Sequence, residues 1–188
     1  MEPISLRTIR IMAEKAKEEL RKAAKANSRP VCVYLHWSAG RYGQFFNDYH
    51  LMVDFDGKIY AMTDNLAELK SHTWKRNSGA IGISMACALN ATTSNLGAYP
   101  PTIAHCDSLA QTVAVLAMTL DIPVSIDSIM THAEAAARDG YGPGSGDKET
   151  RWDLWFLHNG DTPGTGGNVL RQMISGYKDS GKLDWVFA

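Results

Sequence analysis

Three cysteines are too few and too scattered for a disulfide scaffold. Cys32, Cys87 and Cys106 form no close pair and cannot all be bridged to one another, so they read as reduced or buried thiols. Charge of one sign is also missing. The formal net charge is −1, and nothing global points to nucleic acid or to an anionic membrane surface. No apolar run is expected to reach the length that spans a bilayer. The opening stretch MEPISLRTIRIMAEKAKEELRKAAKA is charged throughout and lacks the apolar centre of a secretory signal. The expectation is a chain made in the cytoplasm without a signal peptide. Repeats, linkers and a second hydrophobic core are absent too, so the 188 residues are expected to form one monomeric domain.

What is present alternates between helical and extended patterns. Ile9, Met12, Ala13, Ala16, Leu20 and Ala23 recur at helical spacing, which predicts an amphipathic helix over 5–26 that Asn27-Ser28-Arg29-Pro30 stops. "VCVYLHW" reads as a strand, and "YHLMVDF" and "KIYAMT" flank Asp56-Gly57 as a hairpin. "AIGISMACAL" predicts a buried fourth strand, and "TIAHCDSLAQTVAVLAMTL" a mostly buried helix. "SIDSIMTH" is expected to hold a short strand ending at His132. Residues 140–167 are expected to be mostly loop, and "GNVLRQMISGYKDSG" a closing helix. The fold class that follows is α/β: a single domain with a mixed central sheet flanked by helices. A Gly- and Pro-rich loop this long is uncommon in a compact domain unless it is functional.

Three residues stand where chemistry is possible. His36 ends a strand as the chain enters Trp37-Ser38-Ala39-Gly40, His132 ends another, and Asp153 lies between two tryptophans in "RWDLWF". Each alone has an ordinary structural reading. The histidines can be satisfied core groups, and Asp153 can pair with Arg151 or cap a turn. Together they make the donor set His, His and Asp, which suits a tetrahedral zinc with one position open for water or substrate. His132-Ala133-Glu134 also matches the first half of the nucleobase deaminase signature, H-x-E followed by P-C-x-x-C. No cysteine follows Glu134, so that reading fails on its missing ligands. Glu134 then reads as a hydrogen-bond acceptor behind the site or as a solvated helix residue. The 140–146 loop carries no P-loop lysine, so it is not expected to cradle phosphate.

The blocks "YLHWSAG", "DYHLMVDFDGKIY", "SHTWKRNSGAIGISM", "THAEAA" and "RWD" occur in an order that resembles the zinc-dependent N-acetylmuramoyl-L-alanine amidases. These form the amidase type 2 and peptidoglycan recognition protein superfamily, which includes phage lysozymes with amidase activity. The resemblance runs from about Val31 to Asp153. It leaves residues 1–30 as an N-terminal helix packed on the family core, and 154–188 as a C-terminal loop and helix.

The resemblance implies zinc on His36, His132 and Asp153, with Tyr49 and Arg151 catalytic. It implies His72 as a residue lining the substrate groove. Aromatics beside that cleft (Trp37 and Trp74, with Tyr42, Phe45 and Phe46) suit sugar rings and peptide stems. His50, on the opposite side of its strand from Tyr49, reads as structural. Two departures stand out. Many members of the recycling type carry glutamate in "IGIE", where this chain has Ser84. The phage-type basic residue is usually lysine, and here Arg151 can stabilise an oxyanion but cannot shuttle a proton.

The implied activity is hydrolysis of the amide between N-acetylmuramic acid and L-alanine in peptidoglycan. The implied setting is a phage or prophage endolysin that reaches the wall with a holin or another release route. The competing readings are a non-catalytic peptidoglycan-binding module and a cytoplasmic muropeptide-recycling amidase. Completeness of the three ligands favours an enzyme.

Overall fold

A computed structural model describes residues 1–92, 94–140 and 153–185. Helix α1 (Leu6–Ala26) starts where Ser5 Oγ accepts from the Thr8 amide at 3.2 Å. It buries Leu6, Ile9, Ala13, Ala16, Leu20 and Ala24 along one stripe. Each fully buried Leu or Ile there contributes about 2 kcal/mol. Strand β1 (Cys32–Trp37) has all six side chains buried, as a strand covered on both faces must. Strands β2 (Leu51–Val53) and β3 (Ile59–Ala61) form the expected antiparallel hairpin, and Gly57 turns it at φ +85°, where side chains are strained.

Strand β4 (Ala80–Met85) stops four residues before the end of its apolar run; beyond it Ala88 makes only an isolated bridge to Gly40. Helix α2 (Ile103–Leu120) opens on a capping box between Thr102 and His105. It ends at Asp121, whose carboxylate takes Lys17 at 2.6 Å and Arg21 at 3.1 Å from α1. With 18 residues and mean hydropathy 1.3, α2 is long and apolar enough to cross a bilayer, which corrects the expectation that no run is. The fold uses it as a core helix, 72% buried. Strand β5 (Ile129–Thr131) precedes helix α3 (His132–Arg138), and helix α4 (Gly166–Ser180) closes the described chain.

The sheet order is β3-β2-β4-β1-β5, with only β3 antiparallel, so the domain is α/β with a mixed sheet. Alternation along the strands divides its two faces. Val33, Leu35, Trp37, Ile81, Ile83 and Met85 join Leu51 and Val53 in the main core under α1, α2 and α4. On the other face Cys32, Tyr34, Ala80 and Met130 pack with Ala135 of α3 in a smaller cluster. His36 and Ser84, in register with each other, belong to this second face.

One element departs from the expected order. Strand β5 ends at Thr131, one residue before the expected end at His132, and the chain turns there into α3. Thr131 Oγ1 accepts from the Glu134 amide at 3.2 Å, and Glu134 Oε2 accepts from the Thr131 amide at 2.9 Å. This reciprocal cap places His132 at the first position of a helix, immediately beside the end of β1.

Candidate metal centre

His36 is fully buried on β1, His132 begins α3, and Asp153 lies where the described chain resumes. Their ligand-capable atoms all fall within 4.8 Å of one another. Asp153 Oδ2 stands 3.1 Å from His36 Nδ1 and 3.1 Å from His132 Nδ1. Donor atoms around a tetrahedral ion with bonds of about 2.1 Å stand about 3.4 Å apart, so the trio fits zinc without large movement. A backbone contact also holds the cluster, because the Ala133 amide donates to the Asp153 carbonyl at 3.3 Å.

The electrostatics suit cation ligation. Burial lowers the pKa of His36 to about 4; His132 adds to the shift and Asp153 opposes it, so the ring is neutral near pH 7. Burial alone would raise the Asp153 carboxyl, but the two imidazoles outweigh it and hold the group below its ordinary value. Neutral imidazoles and a carboxylate are the protonation states a zinc ion binds.

Tyr49 packs its ring 5.1 Å from that of His36. Burial first, then the nearby Asp153, raise the Tyr49 phenol well above its ordinary value, with Ser84 beside it opposing the shift. The hydroxyl therefore stays protonated and serves as a hydrogen-bond donor, not as a base. Ser84 is fully buried on β4 beside this group, and β4 carries no carboxylate.

Other expected site residues fall elsewhere. Trp37 is 1% exposed and meets Phe156 edge-on at 6.5 Å, on the helix-covered face, so it is a core residue and does not line a groove. Strand alternation sends it away from His36. His72 is buried behind His36, with ring centroids 5.5 Å apart, and does not border an open cleft. Trp74 is 41% exposed, with the Lys75 ammonium 4.3 Å from its ring centre, at an open cavity of about 400 Å³ shared with Arg29 and Arg76. Tyr42 donates to the Pro100 carbonyl at 2.6 Å and stacks on Phe55, while Phe45 packs on Tyr60. Arg151 and the glycine-rich 141–146 stretch lie outside the described residues.

Two carriers of possible chemistry are accounted for structurally. His50 Nε2 meets the Glu68 carbonyl at 2.8 Å, and its Nδ1 accepts from the Gly82 amide at 3.0 Å. Glu134 caps α3 and also forms a two-pronged pair with Arg171 of α4, at 2.8 and 2.7 Å. Both oxygens of Glu134 are spent, which agrees with excluding it as a general acid or base. The residue that sequence reasoning missed is Thr73, whose Oγ1 stands 3.3 Å from His36 Nε2.

A family model described as N-acetylmuramoyl-L-alanine amidase matches residues 8–145. That span takes in most of α1, which the block pattern places outside the resemblance, and it stops before Asp153. A search of curated proteins found no match. Among solved structures, the chain is similar to the endolysin of Thermus scotoductus bacteriophage Ph2119, at 18% identity and TM-score 0.44, over 57% of this chain and 73% of that one. It is similar to the endolysin N-acetylmuramoyl-L-alanine amidase LysCS from Clostridium intestinale, at 18% identity and TM-score 0.42, over 57% and 71%. It is also similar to PGRP-Hd from Alvinella pompejana, at 16% identity and TM-score 0.38, over 55% and 72%.

Proposed function

Because the chain belongs to the N-acetylmuramoyl-L-alanine amidase family, we propose that it is a zinc-dependent hydrolase of the muramoyl–L-alanine amide in peptidoglycan, acting on the cell wall as a phage-type endolysin. The observation that carries the zinc dependence is the convergence of His36, His132 and Asp153, with ligand atoms within 4.8 Å. Zinc held by His36, His132 and Asp153 would supply Lewis acidity, toward both a substrate carbonyl and water.

The protein's own groups do the rest. Asp153 and the two imidazoles fix the place where the amide carbonyl must come. The Tyr49 hydroxyl, kept protonated, donates a hydrogen bond to the oxygen as negative charge develops on it. Arg151, two residues before Asp153 in the sequence, adds a permanent positive charge for the same oxyanion. Trp74 offers an exposed aromatic face for the glycan or stem peptide.

Mass spectrometry of purified sacculi, digested with zinc and again with chelator, tests this reading. New L-alanine amino termini are expected with zinc and none with chelator. New reducing sugars would replace the amidase with a glycosidase, and binding without any cleavage would make the protein a recognition module.

A further inference from the structure

Behind the three ligands lies a second layer of buried polar groups that the proposed reaction leaves unused. His36 turns Nδ1 toward Asp153, so its other nitrogen points into the protein, where Thr73 Oγ1 stands 3.3 Å from Nε2. The same hydroxyl is 2.9 Å from His72 Nδ1. His36 is 0%, Thr73 3% and His72 5% exposed, so bulk water has no ready access to these contacts. Asn77 holds the backbone of the pair: its Oδ1 accepts from the His72 amide at 3.2 Å and the Thr73 amide at 2.7 Å.

The sheet is shaped to admit this layer. A Cβ added at Gly82 would come within 2.4 Å of His72 Cγ. Any larger residue at position 82 would drive the His72 ring, and Thr73 with it, away from His36. His72 is also unlike its neighbour His50. Both nitrogens of His50 have partners, whereas His72 Nε2 has none among the described residues. A histidine kept only to fill space or tie down a loop gains nothing from leaving a buried ring nitrogen unpaired, which is destabilising. What this ring supplies is its Nδ1.

The direction of the hydrogen bonds follows from counting protons. An imidazole that ligates through Nδ1 carries its proton on Nε2, and a buried N–H needs an acceptor. Thr73 Oγ1 can accept from it because its own O–H has an acceptor in His72 Nδ1; the His72 proton then sits on Nε2, and that unpartnered N–H is the cost of presenting Nδ1 to Thr73. The chain therefore runs from His36 Nε2–H to Thr73 Oγ1, and from Thr73 O–H to His72 Nδ1. Outer partners of this kind set the tautomer and ring orientation of metal-ligating histidines.

We propose that Thr73 is a positioning residue that locks His36 in the Nε2–H form with Nδ1 presented to the metal, and that His72 serves this lock by accepting from the Thr73 hydroxyl, without touching substrate. The proposal rests on the zinc reading above.

The test compares Thr73→Val, which keeps the shape and removes the hydroxyl, with Thr73→Ser, which keeps the hydroxyl. Zinc affinity is measured by competition with a chromophoric chelator, and ring tautomers by long-range ¹H–¹⁵N NMR of the zinc-loaded protein. Thr73→Val should bind zinc about 10- to 100-fold more weakly, and Thr73→Ser should stay within about threefold of the parent. His36 should show a single Nε2–H form in the parent and in Thr73→Ser. Should the valine variant fail to fold, His72→Phe, which fills the space over Gly82 without Nδ1, should also weaken zinc binding.

Equal zinc affinity in Thr73→Val, or a proton on His36 Nδ1 in the loaded parent, overturns the proposal. A parent that binds no zinc overturns it together with the zinc reading. The expected order of affinities without release of L-alanine termini supports the lock and overturns only the amidase reading.

Discussion

Removing one oxygen from Tyr49 isolates its part in the chemistry. The phenol lies against His36 but is not among the three proposed ligands, so Tyr49→Phe should leave zinc content unchanged. Turnover should fall about 100-fold, the usual consequence of losing one preorganised donor worth about 3 kcal/mol. Loss of metal along with the hydroxyl would place Tyr49 in the ligand shell, and unchanged turnover would remove it from the reaction. At this scale the sequence was informative where residue type restricts chemistry. His36, His132 and Asp153 could be named because two imidazoles and a carboxylate are a recognisable donor set, and the structure brings them together. Trp37 misled because its neighbour in sequence points to the other face of the strand. Thr73 gave no signal at all: a hydroxyl beside a histidine has meaning only once a glycine on a neighbouring strand opens room for the ring.

Helix α3 is where local pattern was most misread. Its N-terminal signature, Thr131-x-x-Glu134, stands in the sequence as a capping box, and the reciprocal cap ends the strand at Thr131, one residue before the apolar and β-branched pattern alone suggests. The longer elements, α1, α2 and α4, were legible because their apolar periodicity extends over several turns. The end of β4 was not, since apolar residues continue past Met85 where pairing stops. The Glu134–Arg171 pair now ties α3 to α4, and Arg171 also donates to the Ile129 carbonyl at 3.0 Å, at the start of β5. Both side chains are about one-tenth exposed, 11% and 10%. Glu134→Ala leaves the Arg171 guanidinium its Ile129 and Asn168 acceptors but removes its buried counter-charge, and should cost about 3 kcal/mol of stability. Urea unfolding would measure it, with the double variant Glu134→Ala, Arg171→Met recovering part of the loss. A single-variant loss below about 1 kcal/mol would mean the pair is solvated and does not anchor the helix that carries His132.

Across the whole molecule, buried histidines make folding sensitive to acid. Burial lowers the pKa of His36 and His105 to about 4, lowers that of His50, and lowers that of His72 well below its ordinary value. Each is neutral in the native protein but takes up a proton near pH 6.5 once unfolded. The unfolded chain therefore binds more protons in that window. The stability these groups contribute is complete above about pH 6.5 and drains away as pH falls toward about 4. By about pH 5, His36 and His105 should each have cost about 2 kcal/mol. Urea midpoints of the zinc-free protein at about pH 7.5 and about pH 5 would show the loss, and coincident midpoints would contradict the assigned protonation states. The strand order has a consequence of another kind. Strand β1, interior to the sheet, leaves the ribosome early, yet its parallel neighbours begin in register only at Ala80 and Ile129. No hairpin can nucleate it, so its pairing waits on the closure of two long loops, a slow route to assembly. His36 is the first of the three proposed ligands to be synthesised, and it spends the longest interval of nascent life with no partner beside it.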